Sequence, residues 1–314
     1  MAHQKSFRVG IKPLLCFVAA ATLLGLGGSH ALTSAFRQEE EDEMRRLWNK
    51  QFLNARVQAK KPKPNAQSQT AKAKPPATVR PQAKPGVVGD KTVDGELIGV
   101  TIWRLRQAAA GDNRMLVQKE GGASSQYALE RVKADDHFKE GQFLRISIEA
   151  PRVNKNYLYV IDREIYDNGA MSEPSLIFPS RTTPSGANVI TAGRSVYVPA
   201  MGDPIPYFTL ERSSKNHVGE LLTIIISPEP LPVNVEQPNL NPFLIEKWEK
   251  QWGGQTEKRE SRGGAGKQWT KEEQEADEGK RKLVQSDPLP QTIYRVRAKR
   301  GGCALVSIPL QIAQ

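Results

Sequence analysis

Phe143-Leu-Arg-Ile-Ser-Ile148 and Leu221-Leu-Thr-Ile-Ile-Ile226 decide the class of this chain. Both are short alternating apolar segments, and similar ones recur between them and beyond, at Leu97 to Leu105, Arg114 to Val117, Gln142 to Glu149, Asn156 to Arg163, Ser175 to Phe178, Ala187 to Thr191, Arg194 to Val198, Pro206 to Glu211 and Glu220 to Ser227. The links carry turn residues, among them Gly111-Asp-Asn113, Asp167-Asn-Gly169, Pro184-Ser-Gly186 and Gly202-Asp-Pro204. Many short strands at near-even spacing with no helices between them predict a mainly β domain with antiparallel packing, a sandwich of immunoglobulin-like or similar type, or a barrel. In the Asn156 segment, Leu158 and Val160 face one way and Tyr157, Tyr159 and Ile161 the other, so this strand reads as central with both faces covered.

Outward from residues 92–235, the pattern breaks after Pro238. Asn241 can cap a helix, Pro242 suits its first turn, Leu244, Ile245, Trp248 and Trp252 fall on one face, and Gly253-Gly254 stops it. Thr270-Lys-Glu-Glu273 has the pattern of a capping box for a second, weaker helix. Residues 236–289 therefore read as a helical and polar insertion. Alternation resumes at Thr292 to Lys299 and Cys303 to Ile312 around Arg300-Gly-Gly302, which predicts a β-hairpin over 290–314 that completes the β domain. Pro309 places the last strand at an edge, or ends its pairing there.

The N-terminal side differs in kind. Lys5, Arg8 and Lys12 precede an apolar run from Leu14 to Leu26 and then Ser29-His-Ala31, the plan of a signal peptide over 1–31, cleaved after Ala31. The expected destination is the periplasm or the exterior. The run is shorter than the ~20 residues of a spanning helix, and Cys16 lies inside it, against a lipid-modified start. Cys303 is then the one cysteine left, so no internal disulfide is expected and ordinary core packing must hold the domain.

Residues 36–55 read as an amphipathic helix, acidic at its start and with Met44, Leu47, Trp48, Phe52 and Ala55 in its less polar stripe. Docking of that stripe on the chain's own β domain is the default; self-association or a partner helix are the alternatives. Residues 56–91 form a Pro/Lys/Ala-rich linker. From Asn54 to Gly89 there are eight basic residues and no acidic one, and the net charge of +11 becomes +8 without the three basic residues of the leader. The whole excess therefore sits in this stretch, which cannot bury a core and is expected to be an extended, disordered spacer. Its function is either a soluble tether or attraction to anionic envelope polymers or lipid head groups, the latter a peripheral membrane contact. Nucleic acid ranks below both, for want of stacking aromatics in the linker. The interaction residues this reading singles out are Trp48, Phe52, Lys60, Lys61, Lys63, Lys72, Lys74 and Lys84.

Gly141-Gln-Phe-Leu-Arg-Ile-Ser-Ile-Glu149, Tyr157-Leu-Tyr-Val-Ile-Asp162, Leu176-Ile-Phe-Pro179, Val198-Pro199, Tyr207-Phe208 and Glu220-Leu-Leu-Thr-Ile-Ile-Ile-Ser-Pro228 together resemble one bacterial family, the domain of unknown function 4384. The resemblance spans about Gly141 to Leu231 and rests on strand spacing. It implies a β-sandwich-like accessory module of envelope or secreted proteins, attached elsewhere to kinase or protease domains, with no established reaction and so no active-site residues to carry over.

Chemistry is sparse. Only His137 and His217 lie beyond the leader, too few and too distant for a zinc cluster with one Cys. Asp135-Asp136-His137 reads as a polar turn before a strand, and Ser213-Ser214 near His217 lacks a nucleophile elbow and reads as a hairpin end. Gly263-Gly-Ala-Gly-Lys267 lacks the first glycine and the hydroxyl of a phosphate loop. Asp162, Glu164 and Asp167 are conceivable as a glycosidase acid and base or as calcium ligands, with solvated loop charges the simpler reading. No catalytic, metal or cofactor site is expected. Two functions fit these residues: a non-enzymatic exported module binding a protein or envelope polymer, or a hydrolase of envelope glycan or peptide using these carboxylates and His217.

Overall fold

The computed structural model describes residues 46, 48–58, 95–118, 124–151, 155–200, 203, 205–261, 263–297 and 302–313. Met1–Glu39 is a unit apart from Glu40–Gln314. That unit lies wholly outside the described residues, as do the expected leader and Lys60, Lys61, Lys63, Lys72, Lys74 and Lys84 of the linker.

Two sheets face each other. The first holds β1 (Glu96–Gln107), β2 (Met115–Gln118), β3 (Ser124–Val132), β5 (Phe143–Glu149), β10 (Ser195–Val198), β11 (Phe208–Thr209), β13 (Thr256–Glu260) and β14 (Thr292–Val296). Its main path runs β10-β5-β1-β14-β13, with β3 on the far half of β1 and β2 beyond it. The second holds β4 (His137–Phe138), β6 (Asn156–Asp162), β7 (Glu164–Tyr166), β8 (Ser175–Phe178), β9 (Val189–Ile190), β12 (His217–Ser227) and β15 (Ala304–Ile312), in the order β4-β15-β12-β6-β8. Among the described residues every strand pair is antiparallel except the short β15–β4 contact. The expected β-sandwich is thus the architecture observed, with β6 central as its two-sided pattern required.

Strand alternation builds the core directly. Ile98, Val100, Ile102, Leu144, Ile146 and Ile148 of one sheet meet Leu158, Val160, Leu222, Ile224, Ile226, Val306 and Ile308 of the other, all buried. Each such side chain contributes roughly 1.5–3 kcal/mol on leaving water.

The insertion covers both outer faces. Helix α2 (Pro242–Trp252) starts at Asn241, whose side chain accepts from the Phe243 amide, and ends at Gly253 as the sequence predicted. It lays Ile245 and Trp248 on Tyr159, Ile161, Ile225 and Leu305, with Trp252 stacked on Trp248 at 5.2 Å between ring centres. Helix α3 (Lys271–Asp277) has the expected capping box from Thr270 and Glu273 and sits over the opposite sheet, beside Trp269, Trp103 and Tyr197.

Three expectations need correction. The C-terminal hairpin does not form: β14 pairs with β1 and β13 in one sheet while β15 pairs with β12 in the other. The inner side chains explain this, because Tyr294 and Val296 face Ala304, Val306 and Ile308 across the shared core rather than beside them. The insertion is not only helical and polar, since its Thr256–Glu260 segment is β13. Strand β3, unexpected in a stretch as polar as Ser124-Ser-Gln126, is fixed by its partners β1 and β2 and by Tyr127 and Leu129 under Trp269.

Helix α3 is anchored by ions as well as by packing. Arg145, fully buried, donates to Asp277 at 2.7 Å and to the Pro199 carbonyl, with its guanidinium 4.9 Å over the Tyr197 ring. Truncating one member of such a pair strands the other charge without water. Arg145→Ala is therefore expected to cost about 3–5 kcal/mol in denaturant unfolding, whereas replacing both partners by apolar residues, Arg145→Met with Asp277→Leu, recovers most of that loss.

Candidate functional site

The inner face of the second sheet turns from apolar to acidic at one end. Leu158 and Val160 point into the core, and the same parity carries Asp162 and Glu164 inward where β6 gives way to β7. On β12 the parity of Leu222 and Ile224 brings Glu220 inward, directly opposite Glu164 in the register. A bulge between His217 and Gly219 folds the His217 ring under the sheet, fully buried and 6.1 Å from Tyr166. Gly219 is required for the passage, because a Cβ there would lie 2.3 Å from the Leu310 carbonyl oxygen.

These groups bond mainly to one another. Glu164 Oε2 accepts from Ser213 Oγ and from Tyr166 Oη, both at 2.6 Å. His217 Nδ1 accepts from the Ser213 amide at 3.2 Å, and Nε2 lies 2.9 Å from the Gly219 carbonyl and 3.3 Å from Glu220. Asp162 Oδ1 and Glu220 Oε2 are left without a partner among the described residues. Burial, then the neighbouring carboxylates, pushes Glu220 up to about 8. Burial likewise raises Asp162 to about 6, against the Arg163 amide and with the help of Glu164. At Glu164 burial also acts upward, but the bonds from Ser213 and Tyr166 with the nearby His217 hold its carboxyl below the usual range.

The structure thus brings Asp162, Glu164 and His217 together with Ser213, which the sequence set near His217 as a hairpin end, and adds Glu220 and Tyr166, which sequence reasoning did not place with them. Asp167 goes into its turn, with its amide on the Asn216 carbonyl. The Asp135-Asp136-His137 segment is the expected turn into β4, with Asp136 accepting from the Lys133 amide. Among the described residues no group of three or more His, Cys, Asp or Glu is placed to hold a metal.

A second feature lies near this end but opens outward. Ile165, Val218, Pro309 and Gln311, with His137 and Ala313, line a groove of about 360 Å³ where β15 runs past the two-residue β4. Arg163 and Leu221 exchange both backbone bonds, so the alternate residues of β12 face β15. By the same alternation Ser307 and Pro309 turn their backbone away from β12; β15 is not the edge strand of its sheet, but Pro309 lies in the short gap left unpaired, among the described residues, between the Leu305–Gly253 bridge and the β4 pairing at Gln311.

Trp48 and Phe52 fall in a π-helical turn, Trp48–Leu53, that continues into α1 (Asn54–Gln58). Phe52 is fully buried on Leu97 and Ile293 of its own domain, the docking expected as the default, so it is not exposed to a partner while that segment is seated. The Trp48 side chain lies outside the described residues.

The two raised carboxyls set a direction for stability. Folded Asp162 and Glu220 keep protons that the unfolded chain releases near pH 4. Their contribution is complete below that point and is lost as pH rises towards 8. Glu220→Gln, a permanent mimic of the protonated form, is expected to gain about 1–2 kcal/mol on the unsubstituted chain between pH 5 and pH 9, read from thermal melts at each pH. No protein-family model, curated protein or solved structure matches this chain.

Proposed function

We propose that this chain is an exported, non-enzymatic interaction module that takes an extended polypeptide segment at the unpaired gap in the β15 edge. The observation that carries the reading is the groove itself: mostly apolar walls beside outward-facing backbone at Ser307 and Pro309. Strand-edge recognition uses such a combination, with main-chain bonds for affinity and alternate side chains for selectivity. Pro309 contributes a carbonyl but no N–H, which limits uncontrolled pairing of edges and leaves selectivity to the walls. The resemblance of the segments between Gly141 and Leu231 to the domain of unknown function 4384 family favours an accessory role in the envelope, and the signal-peptide plan of residues 1–31 favours export. The basic linker serves as the tether, with anionic envelope polymers as its natural counterpart.

A second reading, hydrolysis of envelope glycan or peptide, is favoured by one observation: Glu220 and Glu164 sit opposite each other with carboxyls shifted in contrary directions, as an acid and a base require. Against it, Glu164 already accepts two side-chain bonds, and His217 uses both ring nitrogens within the cluster.

The test is site-specific crosslinking in the native envelope. A photo-reactive residue at Gln311 is expected to capture one discrete polypeptide, while the same residue at exposed Phe243, on the far helix, captures none. Equal capture from both positions, or none from Gln311, contradicts the proposal. For the linker, changing its lysines to glutamine is expected to weaken envelope retention and to flatten its salt dependence.

A further inference from the structure

The outer face of the first sheet carries a socket that the β15 reading does not use. Arg56, at 1% exposure, fills it. Its Nε and one terminal nitrogen grip Glu149 at 2.8 and 2.6 Å, and the terminal nitrogens also donate to the carbonyls of Val284, Asp287 and Pro288 at 3.1 to 3.3 Å. Four residues earlier, Phe52 is seated on Leu97 and Ile293. Gly99 makes room for this: a Cβ there would meet the Pro290 ring at 2.5 Å and the Phe52 ring at 3.3 Å.

What fills the socket is small and is joined to the β domain through many residues of sequence. The π-helical turn and α1 together span eleven residues, Trp48–Gln58, below the ~12–15 at which a helix in water becomes even marginal, so the segment takes its shape from the socket. Between Gln58 and Gly95 lie 36 residues. Phe52 touches Leu97, so the two ends of that stretch are neighbours, yet 36 residues could span roughly 110 Å at the rise of a proline-rich chain. Docking at home does not by itself require a connection of that length, and the length brings a neighbouring copy within reach.

We infer that the Glu149 socket is an exchangeable helix-binding site, and that in trans it takes the Phe52–Arg56 segment of a second copy of this chain. The tether presents the resident segment at an effective concentration of only about 1 mM, so a neighbour's segment competes whenever local concentration approaches that value. Once a segment leaves, Glu149, 3% exposed, is a buried carboxylate without its cation, which favours rapid refilling by either copy. Reciprocal exchange closes a two-fold dimer without any new contact surface.

Complementation tests this on the whole chain. Arg56→Gln leaves the socket intact and disables the plug; Glu149→Gln does the reverse. Each alone is expected to sediment as a monomer, and their mixture as a one-to-one heterodimer at protein concentrations up to about 1 mM. The chain carrying both substitutions is expected to pair with neither. A second measurement needs no substituted protein: excess peptide of residues 46–58 added to the unsubstituted chain is expected to strip hydrogen-exchange protection from the resident Phe52–Arg56 amides, and the Arg56→Gln peptide to do so at least tenfold less well. A mixture that stays monomeric overturns the inference where both variants melt cooperatively. Protection that the peptide does not change overturns it in every case.

Discussion

A guanidinium cannot lose its water without matched acceptors, and this constraint organises one entire side of the molecule. Arg56, Arg131 and Arg145 each sit almost wholly buried against a carboxylate supplied by a different element: Glu149 on β5, Glu273 in α3 and Asp277 at its end. Arg131 also lies 4.9 Å over Trp103, as Arg145 does over Tyr197, so ring faces complete what the carboxylates begin. The pairs define where the N-terminal segment and the insertion must lie on the sheet. They cost as much as they return if any partner is missing, which is why they specify position more than they add stability. Between them remains a polar cavity of about 10 Å³, room for about one water.

The opposite logic governs the acidic end of the other sheet. There the carboxylates have no Lys or Arg partner among the described residues, Asp162 and Glu220 each keep an oxygen without a partner, and protonation relieves what pairing does not. A sandwich whose interior is filled mainly by Ile, Leu and Val thus ends in a proton-holding cap. The adjoining outward groove is mostly apolar and is lined by none of those carboxylates, so surface and cap are chemically separate. That separation favours binding at the edge over reaction at the cap.

Local signals were legible in the sequence and long-range ones were not. Asn241 with Pro242, and Thr270 with Glu273, announce their helices because capping is settled within four residues. Ser175–Phe178 was found whole for a similar reason, as a compact apolar run between turns. The ends of the chain misled: Thr292–Val296 and Ala304–Ile312 alternate around glycines as a hairpin would, and only the core between the sheets separates them. Asp162, Glu164 and His217 drew notice by residue type. Glu220 did not, although its parity with Leu222 and Ile224 pointed it inward. The socket residues were hidden because Arg145, Ser147 and Glu149 alternate with Leu144, Ile146 and Ile148 and so read as a solvent face. The groups that cover that face, Arg56 and Asp277 among them, come from about a hundred residues away in the chain.

The central claim is that the folded body binds and does not turn over. Purified chain incubated with isolated envelope glycan and with envelope peptides, followed by mass spectrometry of the products over time, tests it most directly. The account predicts that both substrates remain intact at every pH from about 5 to about 9 while a polypeptide is retained at the β15 edge. Steady release of a cleaved fragment, abolished by Glu220→Gln in a chain that still melts cooperatively, would contradict it.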